Sequence, residues 1–470
     1  MKHSYHSYFF RLYLNPALLI FLLSLYSCLT IRCSKLVSVD PPSASIVTEN
    51  VYTDDAKATA ALVSIYSSIA AAAAGYAPGG TQSFTLMAGL SADELINYST
   101  AADRAEFYVN TISAGNTTNL AIWRTTYNFI YRANAVLEGL QNATGVTAAT
   151  KAQLTGEAKF LRAFFHFYLV NCWGDIPYVS STDYRRNAAL GRTDKATVYQ
   201  QIITDLLDAE NLLPENYAMA ERIRPNKWTV RALLARTYLY TGDNAKAATM
   251  SSQLINSSAY TLVNNINTVF LKSSMETIWQ LQSVLPSYNA SEGYNFILTG
   301  TPSNTSLQPA LVNAFDSVDK RRQLWIGMYT SGSKTYYYNY KYKARLSSTN
   351  TEYSVVFRLA EQYLIRAEAR AQLNDLSGAA QDINSLRSRA GMPSIAPATR
   401  QATLDAIARE RRLELFCEWG QRWLDLKRTG AADTVLGTSK APNWQSTDTL
   451  YPIPLLELQN DQQLTQNPGY

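Results

Sequence analysis

FRLAEQYLIRAEARAQLNDLSGAAQDINSLRSRAGMP, residues Phe357 to Pro393, decides how this chain is built. Its spacing predicts two helices joined by a tight turn. In the first, Leu359, Tyr363, Ala367 and Ala371 recur at four-residue steps with Ala360 and Leu364 beside them, so one face carries a stripe of mostly small residues. Alanine lets a neighbouring helix come close, while Glu361, Arg366, Glu368 and Arg370 are left for water or ion pairs. Asn374-Asp375 and Ser377-Gly378 supply turn chemistry. Beyond them Ala379, Ile383, Leu386 and Ala390 fall at i, i+4, i+7 and i+11, and Gly391 with Pro393 closes the second helix. This is the tetratricopeptide type of unit. It cannot bury its apolar stripe alone and must stack on others.

The theme recurs upstream. Trp228 to Thr241 and Asn244 to Ser257 predict a second pair, with Ala232, Ala235 and Tyr238 facing Ala247, Met250 and Leu254 across a Gly242-Asp243 turn. Further helices are expected over Ala56–Ala74, Asn119–Leu140, Lys151–Trp173 and Val198–Leu213. The third of these is apolar on nearly every side, which marks a central helix. Leu404 to Arg428 predicts one last long helix, in which Glu410, Glu414 and Glu418 interleave with Arg411, Arg412 and Arg422 as a structural ion network. Two stretches break the helical rhythm, about 75–117 and 258–354. In the second, Thr277–Gln282 and the series Tyr336, Tyr338, Tyr340, Tyr342 alternate as short strands do. The tail from Leu450 to Tyr470 is expected to run extended along the body. The fold class is therefore mainly α: a tetratricopeptide-like helix-pair scaffold with an insertion of loops and short strands.

Composition removes several functions. The 470 residues are 47% hydrophobic and 17% charged, and a net charge of +5 with no Lys/Arg cluster does not suit nucleic acid. Of only 3 histidines, His3 and His6 precede the body, leaving His166 inside an apolar helix pattern where packing is its role. A histidine triad, a multi-histidine metal site, a Gly-rich phosphate loop and an EF-hand are all missing from the pattern, so no cofactor or metal is expected. Asp93 and Glu94 are sequence neighbours and do not straddle a substrate as the carboxylates of a glycoside hydrolase must, so no catalysis is expected. Cys172 and Cys417 read as buried thiols in helices, with a disulfide between them left open. The 31 tyrosines stand out, because a ring with an apolar face and a polar tip suits wet binding surfaces.

The N-terminus reads as an address. Lys2 and Arg11 precede an apolar run from Ala17 to Tyr26, too short to span a bilayer, which predicts a signal peptide over residues 1–27 ahead of one domain over 28–470. Leu25-Tyr26-Ser27-Cys28 has the form of a bacterial lipobox, with Cys28 as the lipidated residue. Cys33 is the alternative, since the string from Cys33 through Val39-Asp40-Pro41-Pro42 has the spacing one family uses after its lipidated cysteine. A lipid anchor would hold the protein on a membrane without spanning it.

These blocks together resemble the SusD/RagB family of outer-membrane nutrient-binding lipoproteins of Bacteroidetes. The likeness is carried by the Cys33–Pro42 string and by GEAKFLRAFFHFYLVNCWGDIPYV, RALLARTYLYTGDNAKA and the Phe357–Pro393 stretch, then by RERRLELFCEWGQRWLDLKRTG and YPIPLLELQNDQQLTQNPGY. Gln421 departs from it, since many members carry histidine there; we read this as a change in packing. The resemblance implies a cell-surface subunit that binds an oligosaccharide, or a peptide, and delivers it to a SusC-like TonB-dependent transporter. A pure protein-interaction scaffold is the remaining alternative. A sugar site needs aromatic platforms flanked by amides and carboxylates. The irregular stretches offer Asp93, Asn97, Tyr98 and Tyr108 in the first, and Tyr288, Asn289 and Tyr294 in the second. Trp279 and Trp325 are expected in the core.

Overall fold

In the computed structural model the described residues are 51–71 and 82–470, so the expected signal peptide and both candidate lipidation cysteines lie outside them. The N-terminal part of the body runs α1 (Asp55–Ala71), α2 (Phe84–Ser91), β1 (Leu95–Asn97), α3 (Ala102–Val109), α4 (Thr117–Gln141), α5 (Ala148–Trp173), α6 (Tyr184–Asn187) and α7 (Lys195–Leu212). A first tetratricopeptide-like pair follows, α8 (Lys227–Thr241) and α9 (Asn244–Ile255). The insertion carries β2 (Thr277–Leu281), α10 (Ser291–Phe296), β3 (Thr305–Leu307), α11 (Pro309–Val312), α12 (Lys320–Trp325), β4 (Ile326–Ser331) and β5 (Lys334–Asn339). Strand β6 (Ser354–Arg358) then leads straight into the second pair, α13 (Leu359–Gln372) and α14 (Leu376–Arg389). The chain closes with α15 (Arg400–Glu414), α16 (Gln421–Arg428), α17 (Ala432–Ser439) and α18 (Leu455–Asn460). Among the described residues no helix is long and apolar enough to cross a membrane.

The small-residue stripe does what its spacing predicts. Ala367, Ala371, Ala379, Ile383 and Ile407 form one buried cluster, and Ala360, Leu364, Leu386 and Leu415 form another, so α13 and α14 close on α15. Both pairs turn by the same device. A residue in left-handed backbone (Gly242, φ 80°; Asn374, φ 67°) is followed by an aspartate that caps the next helix, Asp243 accepting from the Lys246 N–H and Asp375 from the Gly378 N–H. Ser377 and Gly378 therefore sit inside the first turn of α14, not in the turn between the helices. Glu361, Arg366 and Glu368 are buried rather than hydrated, because Arg236, Asp382 and Arg428 meet them at 2.7, 2.6 and 2.5 Å.

The stretch 82–117 is more ordered than its weak periodicity suggests. Every residue of α2 is buried, so no face is left polar to mark a period. In α4 the inward face is Asn119, Ile122, Trp123, Thr126, Ile130, Ala133 and Asn134. Helix α5 is apolar all round, and His166 is packed within it: burial lowers its pKa to about 3, and its Nε2 accepts the Val179 N–H. Cys172 and Cys417 are separate buried thiols. Trp279 and Trp325 are fully buried. The tail packs on the body, with Tyr451 stacked 5.8 Å from Trp423 and the Pro452 carbonyl accepting from Trp173 and Asn119.

The predicted long helix over Leu404–Arg428 is two helices. The chain breaks at 415–420, where Cys417 (φ 54°), Trp419 (φ 46°) and Gly420 (φ 68°) take left-handed backbone. Such a φ is strained for a bulky residue such as tryptophan and persists only when the surroundings fix it. A Cβ on Gly420 would lie 2.6 Å from the Phe84 ring, so glycine is needed there twice over. What fixes the break is charge. Glu414 meets Arg321 at 3.0 Å and Arg358 at 2.6 Å, and also pairs with Arg389. Glu418 meets Arg358 at 2.8 Å and Lys341 at 2.5 Å, Glu276 holds Arg358 and Arg389 from the other side, and Glu410 with Asp319 completes Arg321. Glu410, Glu414 and Glu418 do form an ion network, but their partners come from β6, α12, α14 and Lys341 after β5 rather than from the next turn of the same helix. Gln421 belongs to a neighbouring polar set. Its amide donates to Glu361 and accepts from Arg411, so it is a polar link and not only a packing residue.

Glu414→Gln leaves three buried arginines short of charge, which costs about 3–5 kcal/mol. Burial alone would raise the pKa of Glu414, yet Arg389, Arg358 and Arg321 together hold it well below the ordinary carboxylate range. Its stabilising effect is present above the unfolded pKa and is lost as pH falls through the depressed folded one. Urea unfolding of Glu414→Gln is expected to show that loss at pH 7 and a weaker dependence on acid below about pH 4.5.

Candidate functional site

Strands β4 and β5 form an antiparallel hairpin in which Tyr329 pairs with Tyr336 and Gly327 with Tyr338, placing these residues on one face. Gly327 makes room for the ring opposite it, since a Cβ there would sit 2.2 Å from Cζ of Tyr338. Tyr340 meets Tyr338 edge-on at 5.7 Å. From β1, Tyr98 meets Tyr336 edge-on at 5.9 Å, and its hydroxyl is 3.2 Å from the hydroxyl of Ser306 on β3. Strand β3 pairs with β1, Leu95 opposite Leu307, which brings the first irregular stretch against the second. All five tyrosines are half-buried. Lys334 lies over the Tyr336 ring at 5.0 Å and Lys343 over Tyr340 at 4.0 Å. The result is a half-exposed aromatic face rimmed with cations.

A second aromatic group lies further along the same run. The Tyr288 and Tyr294 rings are 4.4 Å apart, and the Arg345 guanidinium lies 4.6 Å from the Tyr294 centroid. The residues chosen from sequence thus divide. Tyr98, Tyr288 and Tyr294 present rings at the surface. Asn97 closes a local turn, its side chain bonded to Ser99 on both sides. Tyr108 packs beneath Lys440, 4.5 Å from its ring, and touches Gln308.

Asp93 and Asn289 are internal, which corrects their assignment to the ligand surface. Asp93 is clamped by Arg422 and Arg412, each at 2.7 Å; burial works against its charge, and the two guanidiniums outweigh it and hold its pKa down. Asn289 is fully buried and fastens 349–352 to the start of α10 by accepting from the Thr351 and Glu352 N–H groups. The residues of this face that the sequence reading did not select are Tyr329, Tyr336, Tyr338 and Tyr340. The signal was there, since alternate tyrosines in a strand share a face. Tyr342 departs from that series, because β5 ends at Asn339 and the Tyr342 ring is buried.

Among the described residues no group of three or more histidines, cysteines or acids is placed to hold a metal. A cavity of about 560 Å³ lies elsewhere, between α8, α13, α15 and α16. Its charged walls, Glu368, Arg411, Asp425 and Arg428, are already paired with one another, so the tyrosine face has the better claim to a ligand.

Known proteins share this fold. Residues 44–239 match a family described as starch-binding and associating with the outer membrane, and residues 325–470 match the SusD family. The SusD-like protein P2 of Formosa agariphila is 30% identical over an alignment covering 77% of this chain and 83% of that protein. The starch-binding protein SusD of Bacteroides thetaiotaomicron is 25% identical, covering 74% of this chain and 76% of its own. A laminarin-binding SusD-like protein of known structure superposes with a TM-score of 0.73 at 25% identity, over 89% of this chain and 100% of that one. A SusD superfamily protein from Bacteroides vulgatus reaches 0.77 at 21% identity, over 89% and 100%.

Strand β1 is moored by the acids that precede it, and one of them titrates. Glu94 accepts the Cys417 N–H at 3.2 Å, and burial, then the charge of Asp93, raises its pKa to about 7. A raised carboxyl pKa stabilises the fold below the unfolded value, and this contribution is lost as pH climbs through the folded one. The protein is expected to lose stability, on the order of 3 kcal/mol, between about pH 4.5 and 7, and Glu94→Gln to flatten that decline in thermal melts.

Proposed function

The chain belongs to the SusD family, and from that footing we propose that it binds a nutrient oligosaccharide on the tyrosine face of the β4–β5 hairpin. One observation carries the reading. Tyr329, Tyr336 and Tyr338 share one side of a hairpin and Tyr336 meets Tyr98, just past the end of β1, so two irregular stretches, 93–98 and 326–345, converge on a half-exposed surface. A pyranose presents apolar C–H faces and hydroxyl edges. Tyrosine rings cover the former, and their hydroxyls, with the Lys334 amine at the rim, meet the latter. The starch-binding and laminarin-binding relatives support a saccharide as the ligand class.

In this reading the protein captures and does not cleave. It stands at the outer membrane through a lipid on Cys28 or Cys33 and hands its ligand to a SusC-like TonB-dependent transporter, with the helix pairs as the rigid frame. A carboxylate pair across the tyrosine face would argue for hydrolysis, but the acids nearest β1, Asp93 and Glu94, are turned inward to Arg422 and Cys417.

Affinity electrophoresis and calorimetry against a polysaccharide panel test this. One glycan is expected to bind with no reducing ends released, and Tyr98→Ala or Tyr336→Ala is expected to weaken it by roughly ten-fold or more. Undiminished affinity in the double variant, or release of reducing ends, would contradict the reading.

A further inference from the structure

Among the described residues the buried arginines follow a rule with one exception. Arg236, Arg321, Arg358, Arg366, Arg389 and Arg411 each meet a carboxylate. Arg104 on α3 does not. It is 4% exposed, its Nη1 donates to Asn304 Oδ1 at 2.9 Å, and among the described residues its Nε and Nη2 have no hydrogen-bond partner. Burial pushes its guanidinium pKa down, and among the described residues no carboxylate offsets it. The acids of its own helix face away: Asp103 accepts from the Thr118 N–H at 3.0 Å and Glu106 from Asn116 at 2.8 Å. A desolvated, unpaired cation is costly and calls for a counter-charge from outside.

Its position says where that charge would come from. Asn304, which takes the Arg104 bond on its side chain, also accepts the Tyr98 N–H at 2.8 Å on its carbonyl, so one residue separates the guanidinium from the first tyrosine. At the far group, Arg345 lies over Tyr294 and its Nε has no hydrogen-bond partner among the described residues. Residues 336 to 345 connect the two groups, and nine residues of extended chain span roughly 30 Å at most, a length an oligosaccharide can follow. Tyrosine stacks on any sugar, whereas a guanidinium fork selects carboxylate or sulfate oxygens.

We infer that the ligand is an anionic saccharide, carrying carboxylate or sulfate groups, whose charges are met by Arg104 beside Tyr98 and Arg345 beside Tyr294. This rests on the saccharide reading above and names the class within it.

The test titrates the whole chain with two matched pairs, polygalacturonate against its carboxyl-reduced form and a sulfated galactan against its desulfated form, with laminarin as an uncharged reference. At least one charged member is expected to bind roughly ten-fold more tightly than its neutral partner, and the pair that discriminates tells carboxylate from sulfate. Arg345→Gln and Arg104→Met should each erase most of that preference. Arg185→Gln, which removes a charge 78% exposed on α6, should leave it unchanged. Arg104→Met should melt no lower than the parent, because losing an unpaired buried charge relieves the fold; a lower melting temperature with the preference intact would make Arg104 structural and overturn its role. Equal binding within both pairs, or binding of laminarin alone, overturns the anionic inference and leaves the saccharide reading standing. Silence toward every saccharide, charged or neutral, brings down both.

Discussion

Glu414 is the residue on which this architecture turns. Three arginines from three elements converge on it, Arg321 from α12, Arg358 from the end of β6 and Arg389 from the end of α14. Charges in a low-dielectric interior tolerate no missing partner, so α12, β6 and the second helix pair must arrive in register before the set is satisfied. The same demand explains the break at 415–420. A continuous helix would carry Glu418 onward along the α15 axis; the left-handed residues Cys417 and Trp419 instead let its carboxylate reach Arg358 and Lys341.

The network also aims the tyrosines. Lys341 is fully buried, with its amine donating to the Glu414 and Phe416 carbonyls, and Asn339 beside it is buried too. Alternation then leaves Tyr336, Tyr338 and Tyr340 on the opposite side of the chain. On the other flank Asp93 and Glu94 anchor the start of β1 to Arg412, Arg422 and the broken segment, which fixes where Tyr98 emerges. Two sets of buried charges, joined through the Glu94 bond to the Cys417 backbone, thus hold both halves of the candidate surface.

Much of this was legible in the residues themselves. The alanine stripes of α13 and α14, the apolar girth of α5 and the Asp-capped turns all follow from local spacing. The helix break was not legible, because Leu404–Arg428 keeps a helical pattern throughout and the cause of the break lies in arginines some 25 to 95 residues away. Helix α2 escaped for a related reason: full burial removes the polar face that would reveal its period. At the site, Asp93 and Asn289 have the composition of sugar contacts but were claimed by Arg422, Arg412 and the 349–352 loop. Composition alone cannot tell an acid that faces solvent from one that meets a distant guanidinium. The Tyr336 to Tyr342 alternation was read as a strand, which holds for Tyr336 and Tyr338 while β5 ends at Asn339, and its place on one face with Tyr329 emerged only from the hairpin register.

A crystal structure of the chain with a bound oligosaccharide tests the central claim most directly. The account predicts sugar rings stacked on Tyr98, Tyr336 and Tyr338, with the ligand running toward Tyr294. A ligand seated instead in the cavity between α8, α13, α15 and α16, with the tyrosine face bare, would contradict it.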